Sequence, residues 1–143
     1  MLQVTKIFRF EMAHAIQGYN GACQHIHGHS YELHVSIKSS KKNDDFLDSP
    51  GFIFDFKELK QLVNKAIIHK LDHQLTLSED YLKHHHFMSH FENLIIWKME
   101  PTAENILLYI RNTLQKELPQ NVLLHKLKIY ETHDSYAEWE DEK

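Results

Sequence analysis

The stretch Cys23-Gln24-His25-Ile26-His27-Gly28-His29 puts the chain's only cysteine three residues ahead of a His-x-His pair, with Ala13-His14 upstream. His27 and His29 read as two metal ligands, His14 as a third, and Cys23 as a reactive group beside them. Structural zinc sites are closed by four ligands and lean on paired cysteines, whereas catalytic ones keep three protein ligands and an open position. The set therefore points to catalysis. On a β-strand a His-x-His pair carries both imidazoles on one face, roughly 6.5–7 Å apart at the backbone. Rings at that spacing can lean onto one ion at about 2.0–2.1 Å. A single inward histidine is more simply a hydrogen-bonded core group. Three at converging strand ends favour a shared metal, because burying three imidazoles without a common partner is costly. Three neutral nitrogens suit Zn²⁺ best, and affinity order alone does not select the ion.

Cys23 lies in the turn that delivers the chain to the metal strand. A thiol near a divalent cation and imidazoles ionises more readily, and the thiolate can act as general base or nucleophile. Most free cysteines are small buried hydrophobes, but this one sits in a Gly/Asn-rich turn and not on an apolar stripe. Asp72-His73 is a second candidate. A carboxylate beside an imidazole fixes its tautomer and raises its basicity, which makes a proton relay. Glu131 is a third. It shares a strand face with Leu127 and Ile129, where a carboxylate needs a partner; a ligand presenting two parallel N–H groups would supply one. The run His84-His85-His86 with His90 is a rival metal candidate. Adjacent residues point in different directions, so the run reads as a solvated loop, as do most of the thirteen histidines.

The elements that must position these groups follow from periodicity. Residues 4–14 read as a strand with Phe8, Phe10, Met12 and His14 on one face. Gly18, Asn20 and Gly21 turn the chain within 15–26. Residues 27–38 form a second strand, with His27, His29, Tyr31, Leu33, Val35 and Ile37 inward and Ser30, Glu32, His34, Ser36 and Lys38 outward. Residues 39–50 read as a polar hairpin loop. A helix starts at Asp55, with Glu58 as capping-box partner, and ends near Leu71-Asp72-His73. Its spacing runs through Phe56, Leu59, Val63, Ala66, Ile67 and Lys70-Leu71. Residues 74–92 carry no clear period. Residues 93–99 read as a short strand. Thr102 then caps a second helix, with Leu107, Ile110, Leu114 and Leu118 buried and Pro119 as its stop. A third long strand spans 123–132, an edge strand 135–140, and the tail to Lys143 is solvated. The expected class is α+β, with helices on one face of an antiparallel sheet.

At 143 residues, 42% hydrophobic and 25% charged, the chain fits one globular domain, residues 1–143. A net charge of −4 argues against a nucleic-acid surface. No apolar run approaches the roughly 20 residues of a membrane span. The start lacks the charged and apolar regions of a signal peptide. A lone cysteine makes a reducing cytoplasm the expected compartment.

Taken together, the motifs resemble the 6-pyruvoyl-tetrahydropterin synthase family, and within it the bacterial 6-carboxy-tetrahydropterin synthases of queuosine and 7-deazaguanine biosynthesis. The matching pieces are Phe10-Glu11-Met12-Ala13-His14, Cys23-x-x-x-His27-Gly28-His29, Phe54-Asp55-Phe56-x-x-Leu59-Lys60, Leu71-Asp72-His73, Pro101-Thr102-Ala103-Glu104-Asn105, and Glu131-Thr132 followed by Ala137. The resemblance implies a T-fold (tunnelling fold): a four-stranded antiparallel sheet with two helices on one face, closed into a barrel as a homo-oligomeric trimer or hexamer with shared sites. It implies Zn²⁺ on His14, His27 and His29, Cys23 as the base, and Asp72 and His73 as the relay. It further implies that Glu131 grips the pterin with Thr132 beside it, and that Glu104 helps at the pocket; Glu104 is otherwise an acid matched to a helix N-terminus.

The three-residue gap between Cys23 and His27 matches the carboxy-pterin branch. The implied reaction takes 7,8-dihydroneopterin triphosphate to 6-carboxy-5,6,7,8-tetrahydropterin, acetaldehyde and triphosphate, with the metal as Lewis acid. Two alternatives stand beside it: a 6-pyruvoyl-tetrahydropterin synthase, and a non-catalytic zinc-binding module. Two features depart from the pattern. The stretch from His73 to Pro101 is long, and Arg9 and Arg111 are the only arginines, so no triphosphate ligand is assigned.

Overall fold

The computed structural model describes residues 1–41 and 45–142, apart from the side chains of Phe87 and Met88. Lys42-Asn43-Asp44 of the expected 39–50 loop and Lys143 of the tail lie outside the described residues.

Two long strands form the centre, β1 (Gln3–His14) and β2 (His27–Ser39). They pair antiparallel from Gln3↔Lys38 to His14↔His27. Directly paired residues share a face. Phe8, Phe10 and Met12 therefore lie beside Leu33, Tyr31 and His29, and the Phe10 and Tyr31 rings stack at 5.1 Å. β2 leads to a helix and not to a neighbouring strand, so the expected hairpin loop is instead a crossing to the helical layer.

That helix, α1 (Phe56–Val63), runs without a break through a π-helical stretch (Asn64–Ile68) into a last turn (His69–Leu71). Asp55 caps it by accepting from the Lys57 N–H at 2.7 Å, one residue earlier than capping-box geometry places the bond. The wide π turn lets Ala66, Ile67 and Ile68 all face the core. Phe56 and Lys70, expected on the inner stripe, are exposed.

Residues 74–92, which carry no clear sequence period, hold β3 (Gln74–Ser78) and the short helix α2 (Glu79–His84), followed by a 3-10 turn (His86–His90). β3 is buried on both faces, so it lacks the alternation that marks a half-exposed strand. It runs parallel to β1 through Met12↔Gln74 and His14↔Thr76, and β4 (Leu94–Trp97) runs parallel to β3. Helix α3 (Ala103–Glu117) is capped by Thr102, which accepts from the Asn105 N–H at 3.2 Å. It ends at Leu118, held extended before Pro119. Ile106, Leu107, Ile110 and Leu114 are buried, and Leu118 is half-buried. β5 (Val122–Thr132) and β6 (Ser135–Glu140) complete the sheet.

The strand order is β4-β3-β1-β2-β5-β6. The sheet is therefore mixed and six-stranded, which corrects the four-stranded antiparallel expectation. β4 is the short strand read over 93–99, and β3 is the one the sequence period did not show; both pair parallel, β3 to β1 and β4 to β3, and parallel neighbours need long crossovers. α1 and α3 cover one face and share one core with Phe8, Phe10, Tyr31, Leu33, Leu127 and Ile129. α2 packs on the other face, where Ala15, Leu75, Leu77 and Tyr81 make a second small core. The helices are thus not all on one side. Leu33 is fully buried at the middle of the main core. Leu33→Ala is expected to cost about 2–5 kcal/mol, read as a lowered urea midpoint with unchanged slope.

Candidate metal centre

The β1–β2 register sets His14 directly across from His27, and Met12 across from His29. All three imidazoles then share the helix-covered face, as the period-two pattern predicts. Their ligand nitrogens lie within 4.8 Å of one another. His14 Nδ1 lies 2.6 Å from the Pro101 carbonyl oxygen, and His27 Nδ1 lies 2.7 Å from that of His25. A carbonyl can only accept, so each Nδ1 carries the proton and each Nε2 presents a lone pair. These two Nε2 atoms stand 3.1 Å apart. Facing lone pairs repel at that distance unless a cation lies between them. Two nitrogens bound to one tetrahedral ion at about 2.0–2.1 Å would be about 3.3 Å apart.

His29 Nε2 is buried with no hydrogen-bond partner among the described residues, 3.6 Å from Glu131 Oε1. Burial lowers the pKa of both His14 and His29, and neutral imidazole is the ligating form. The trio can hold a metal ion, and its donor set fits one. Tyr31, read from sequence as plain core, packs against it. Its hydroxyl is 3.5 Å from His14 Nδ1, and its ring stands edge-on to those of His14 and His29. Burial raises the Tyr31 pKa, so the phenol stays protonated. Its position two residues beyond His29 on the same strand face was the available signal.

A cleft of about 320 Å³ opens beside His14. One wall is the 15–26 loop, with Ile16, Tyr19 and Cys23. A second is Thr102-Ala103-Glu104 at the start of α3. A third is Glu131 with Ser135, Tyr136 and Ala137 of the β5–β6 hairpin. His14, Cys23, Glu104 and Glu131 are therefore brought together. Gly21 shapes the first wall: a Cβ there would stand 2.6 Å from Tyr19 Cε1, so its absence lets the Tyr19 ring fold over the loop. Tyr19 and Tyr136 carry no sequence signal of their own: one is exposed in a loop and the other on an edge strand.

Asp72 and His73 do not line this cleft. They pair with each other, His73 Nδ1 to Asp72 Oδ2 at 3.0 Å, on an exposed corner. Asp72 Oδ1 accepts from the Glu11 N–H at 2.8 Å, and the His73 N–H donates to the Glu11 carbonyl at 2.6 Å. Asn93 Nδ2 donates to the His73 carbonyl. These ties hold His73 at φ +60, a left-handed conformation uncommon outside glycine. The Glu11 N–H, and then His73, hold the Asp72 carboxyl below its ordinary pKa, so it stays a carboxylate.

Thr132 also points elsewhere: its hydroxyl donates to Asp134 at 2.8 Å, and it borders a hollow shared with Ser30 and Glu32. In the histidine run, His84 Nδ1 and His85 Nδ1 bond the carbonyls of Asp80 and Tyr81. His85 also stacks on Tyr81 at 4.1 Å. Among the described residues no ligand cluster forms there.

His27→Ala should drop the metal content of the purified protein, measured by plasma mass spectrometry, to background while the circular dichroism spectrum stays unchanged. The Asp72 pKa is lowered in the folded state. Its stabilising contribution is therefore present above the ordinary carboxylate range and lost as pH falls through the folded value. The gap in urea midpoint between wild type and Asp72→Asn should accordingly be open at pH 7 and close as pH drops below about 4.

A family model described as 6-pyruvoyl tetrahydropterin synthase matches residues 3–142. A 6-carboxy-5,6,7,8-tetrahydropterin synthase of Rickettsia typhi is 32% identical, over 96% of this chain and 99% of its own. One of Haemophilus influenzae is 28% identical over 99% and 100%. Among solved structures, an uncharacterized protein of Wolinella succinogenes superposes with a TM-score of 0.74 at 18% identity, covering 99% of this chain and 98% of its own. The 6-pyruvoyl tetrahydropterin synthase of Caenorhabditis elegans gives 0.71 at 17% identity, covering 98% and 95%. At such identities these two structures speak to the fold alone.

Proposed function

The chain belongs to the 6-pyruvoyl tetrahydropterin synthase family, and from that membership we propose that it converts 7,8-dihydroneopterin triphosphate, with water, to 6-carboxy-5,6,7,8-tetrahydropterin, acetaldehyde and triphosphate. The observation that carries the proposal is the convergence of His14, Cys23 and Glu131 on one cleft. The names of the Rickettsia and Haemophilus relatives and the three-residue spacing from Cys23 to His27 favour the carboxy product. In this reading the enzyme is a cytoplasmic lyase serving queuosine biosynthesis, and residues 1–143 form one such domain.

Zn²⁺ is the ion we propose for His14, His27 and His29, where it would supply Lewis acidity toward the oxygens of the substrate side chain. The Pro101 and His25 carbonyls fix two of these imidazoles in the ligating tautomer. Glu131 accepts from the amino and ring N–H groups of the pterin, two donors matched by two carboxylate oxygens. Cys23, across the cleft, takes a proton from the substrate side chain as thiolate. Glu104 lines the opposite wall and bounds the pocket. Thr132 enters beside Glu131 through the backbone of the same strand, since its hydroxyl is committed to Asp134.

The relay pair is preorganised on the outer corner of the same chain. In a homo-oligomer it serves a neighbour's cleft, which gives the shared sites expected of a trimer or hexamer. The sheet ends in two strands, β4 and β6, with backbone edges that a second copy can pair.

Incubation with dihydroneopterin triphosphate should release acetaldehyde and yield the 6-carboxy product by mass spectrometry. A pyruvoyl product without acetaldehyde would move the chain to the other branch. Cys23→Ala should abolish turnover, by at least about 100-fold, with metal still bound. Full turnover in that variant would remove Cys23 from the chemistry.

A further inference from the structure

The metal ligands stand on strands, but the Cys23 thiol rides on the 15–26 loop. Within the loop, the Ile16 N–H donates to the Cys23 carbonyl at 2.8 Å. Ala22–Gln24 close a 3-10 turn, with Gln24 N–H on the Gly21 carbonyl and His25 N–H on that of Ala22. These bonds shape the loop without fixing its place against the strands. A different bond reaches outward: the Gln17 N–H donates to Glu100 Oε1 at 2.6 Å.

Glu100 is itself anchored. It is half-buried, and its carbonyl oxygen accepts from the Thr102 N–H at 2.9 Å and from Asn105 Nδ2 at 2.9 Å. The next residue, Pro101, gives its carbonyl to His14 Nδ1. Two consecutive residues thus grip the first metal ligand with one hand and the thiol-bearing loop with the other. The cleft runs between that loop and Thr102-Ala103-Glu104, so the Gln17–Glu100 bond ties its two walls together.

We propose that Glu100 is a positioning residue: its carboxylate, through the Gln17 amide, sets where the Cys23 thiol stands relative to the His14 centre. The proposal rests on Cys23 as the reacting thiol. An amide-to-carboxylate bond is charge-assisted and stronger than a neutral one, and a loop that loses such a tie opens locally.

Three variants separate the terms. Glu100→Ala deletes the acceptor, Glu100→Asp withdraws it by one methylene, and Glu100→Gln keeps an oxygen at the same reach. Misplacement by about 1 Å can cost about 100-fold in rate. In Glu100→Ala and Glu100→Asp, kcat should therefore fall about 10- to 100-fold with KM and metal content little changed. Glu100→Gln should recover most of the loss.

Two readouts need no substrate. By hydrogen exchange, the amides of residues 17–24 should exchange faster in the Ala and Asp variants while those of β2 hold. Iodoacetamide should alkylate Cys23 faster in the same variants. Wild-type exchange and alkylation in Glu100→Ala would overturn the proposal, as would a Glu100→Gln protein as impaired as Glu100→Ala. Should Glu100→Ala fail to fold, the Asp and Gln pair carries the same comparison. Turnover retained by Cys23→Ala would remove the thiol from the chemistry and leave the exchange result standing, so the two failures are distinguishable.

Discussion

The arrangement depends on one constraint, the register of β1 against β2. Pairing His14 with His27 puts three imidazoles on the face that also carries Phe8, Phe10, Met12, Tyr31 and Leu33. A slip of one residue would turn every one of those side chains to the opposite face. The hydrophobic core therefore enforces the geometry of the histidine cluster: strands cannot shift to separate the three imidazoles without also exposing buried rings and aliphatic side chains. Burial then acts on the ligands in turn, since desolvation keeps His14 and His29 neutral. Packing, register and ligating form are three faces of one interaction.

A second layer of order is made of backbone carbonyls. Pro101 and His25 each accept from a ring nitrogen, and in doing so decide which nitrogen is left to bind a metal. The Pro101 carbonyl is available because Thr102 starts a helix just after it, so the turn before α3 must present its carbonyls elsewhere. In the same way the Asp72-His73 corner is locked by using both backbone groups of Glu11. The local backbone does the orienting, and the titratable side chains inherit their geometry from it.

The clustering of the three histidines, the Cys23 turn, the two long strands, both main helices and the inward Glu131 were legible in the sequence, because each sits where a period of two or 3.6 meets a turn or cap signal. β3 was not legible. It is buried on both faces, so alternation, the usual mark of a strand, is absent, and its parallel pairing with β1 depends on residues far away in the chain. The parallel half of the sheet was hidden with it, since β4, read as a short strand, joins the sheet only through β3. So was the second core under α2, whose Leu75 and Leu77 make sense only once β3 exists. The separation of Asp72-His73 from the cleft was invisible for a different reason: spacing along a chain does not say on which side of a sheet edge a corner will face. Backbone partners such as the Pro101 carbonyl leave no trace in residue type at all.

The division between strand-borne imidazoles and a loop-borne thiol bears on how such a site can diverge. Lengthening a loop is cheap, about 0.6 kcal/mol for each doubling, whereas an insertion within β1 or β2 would shift the ladder that sets His14 across from His27. Insertions in the 15–26 segment would therefore change the reach of Cys23 while the histidine cluster beside it stays in place. Variation is cheap where the thiol sits and costly where the imidazoles sit, so the two halves of the site can change independently.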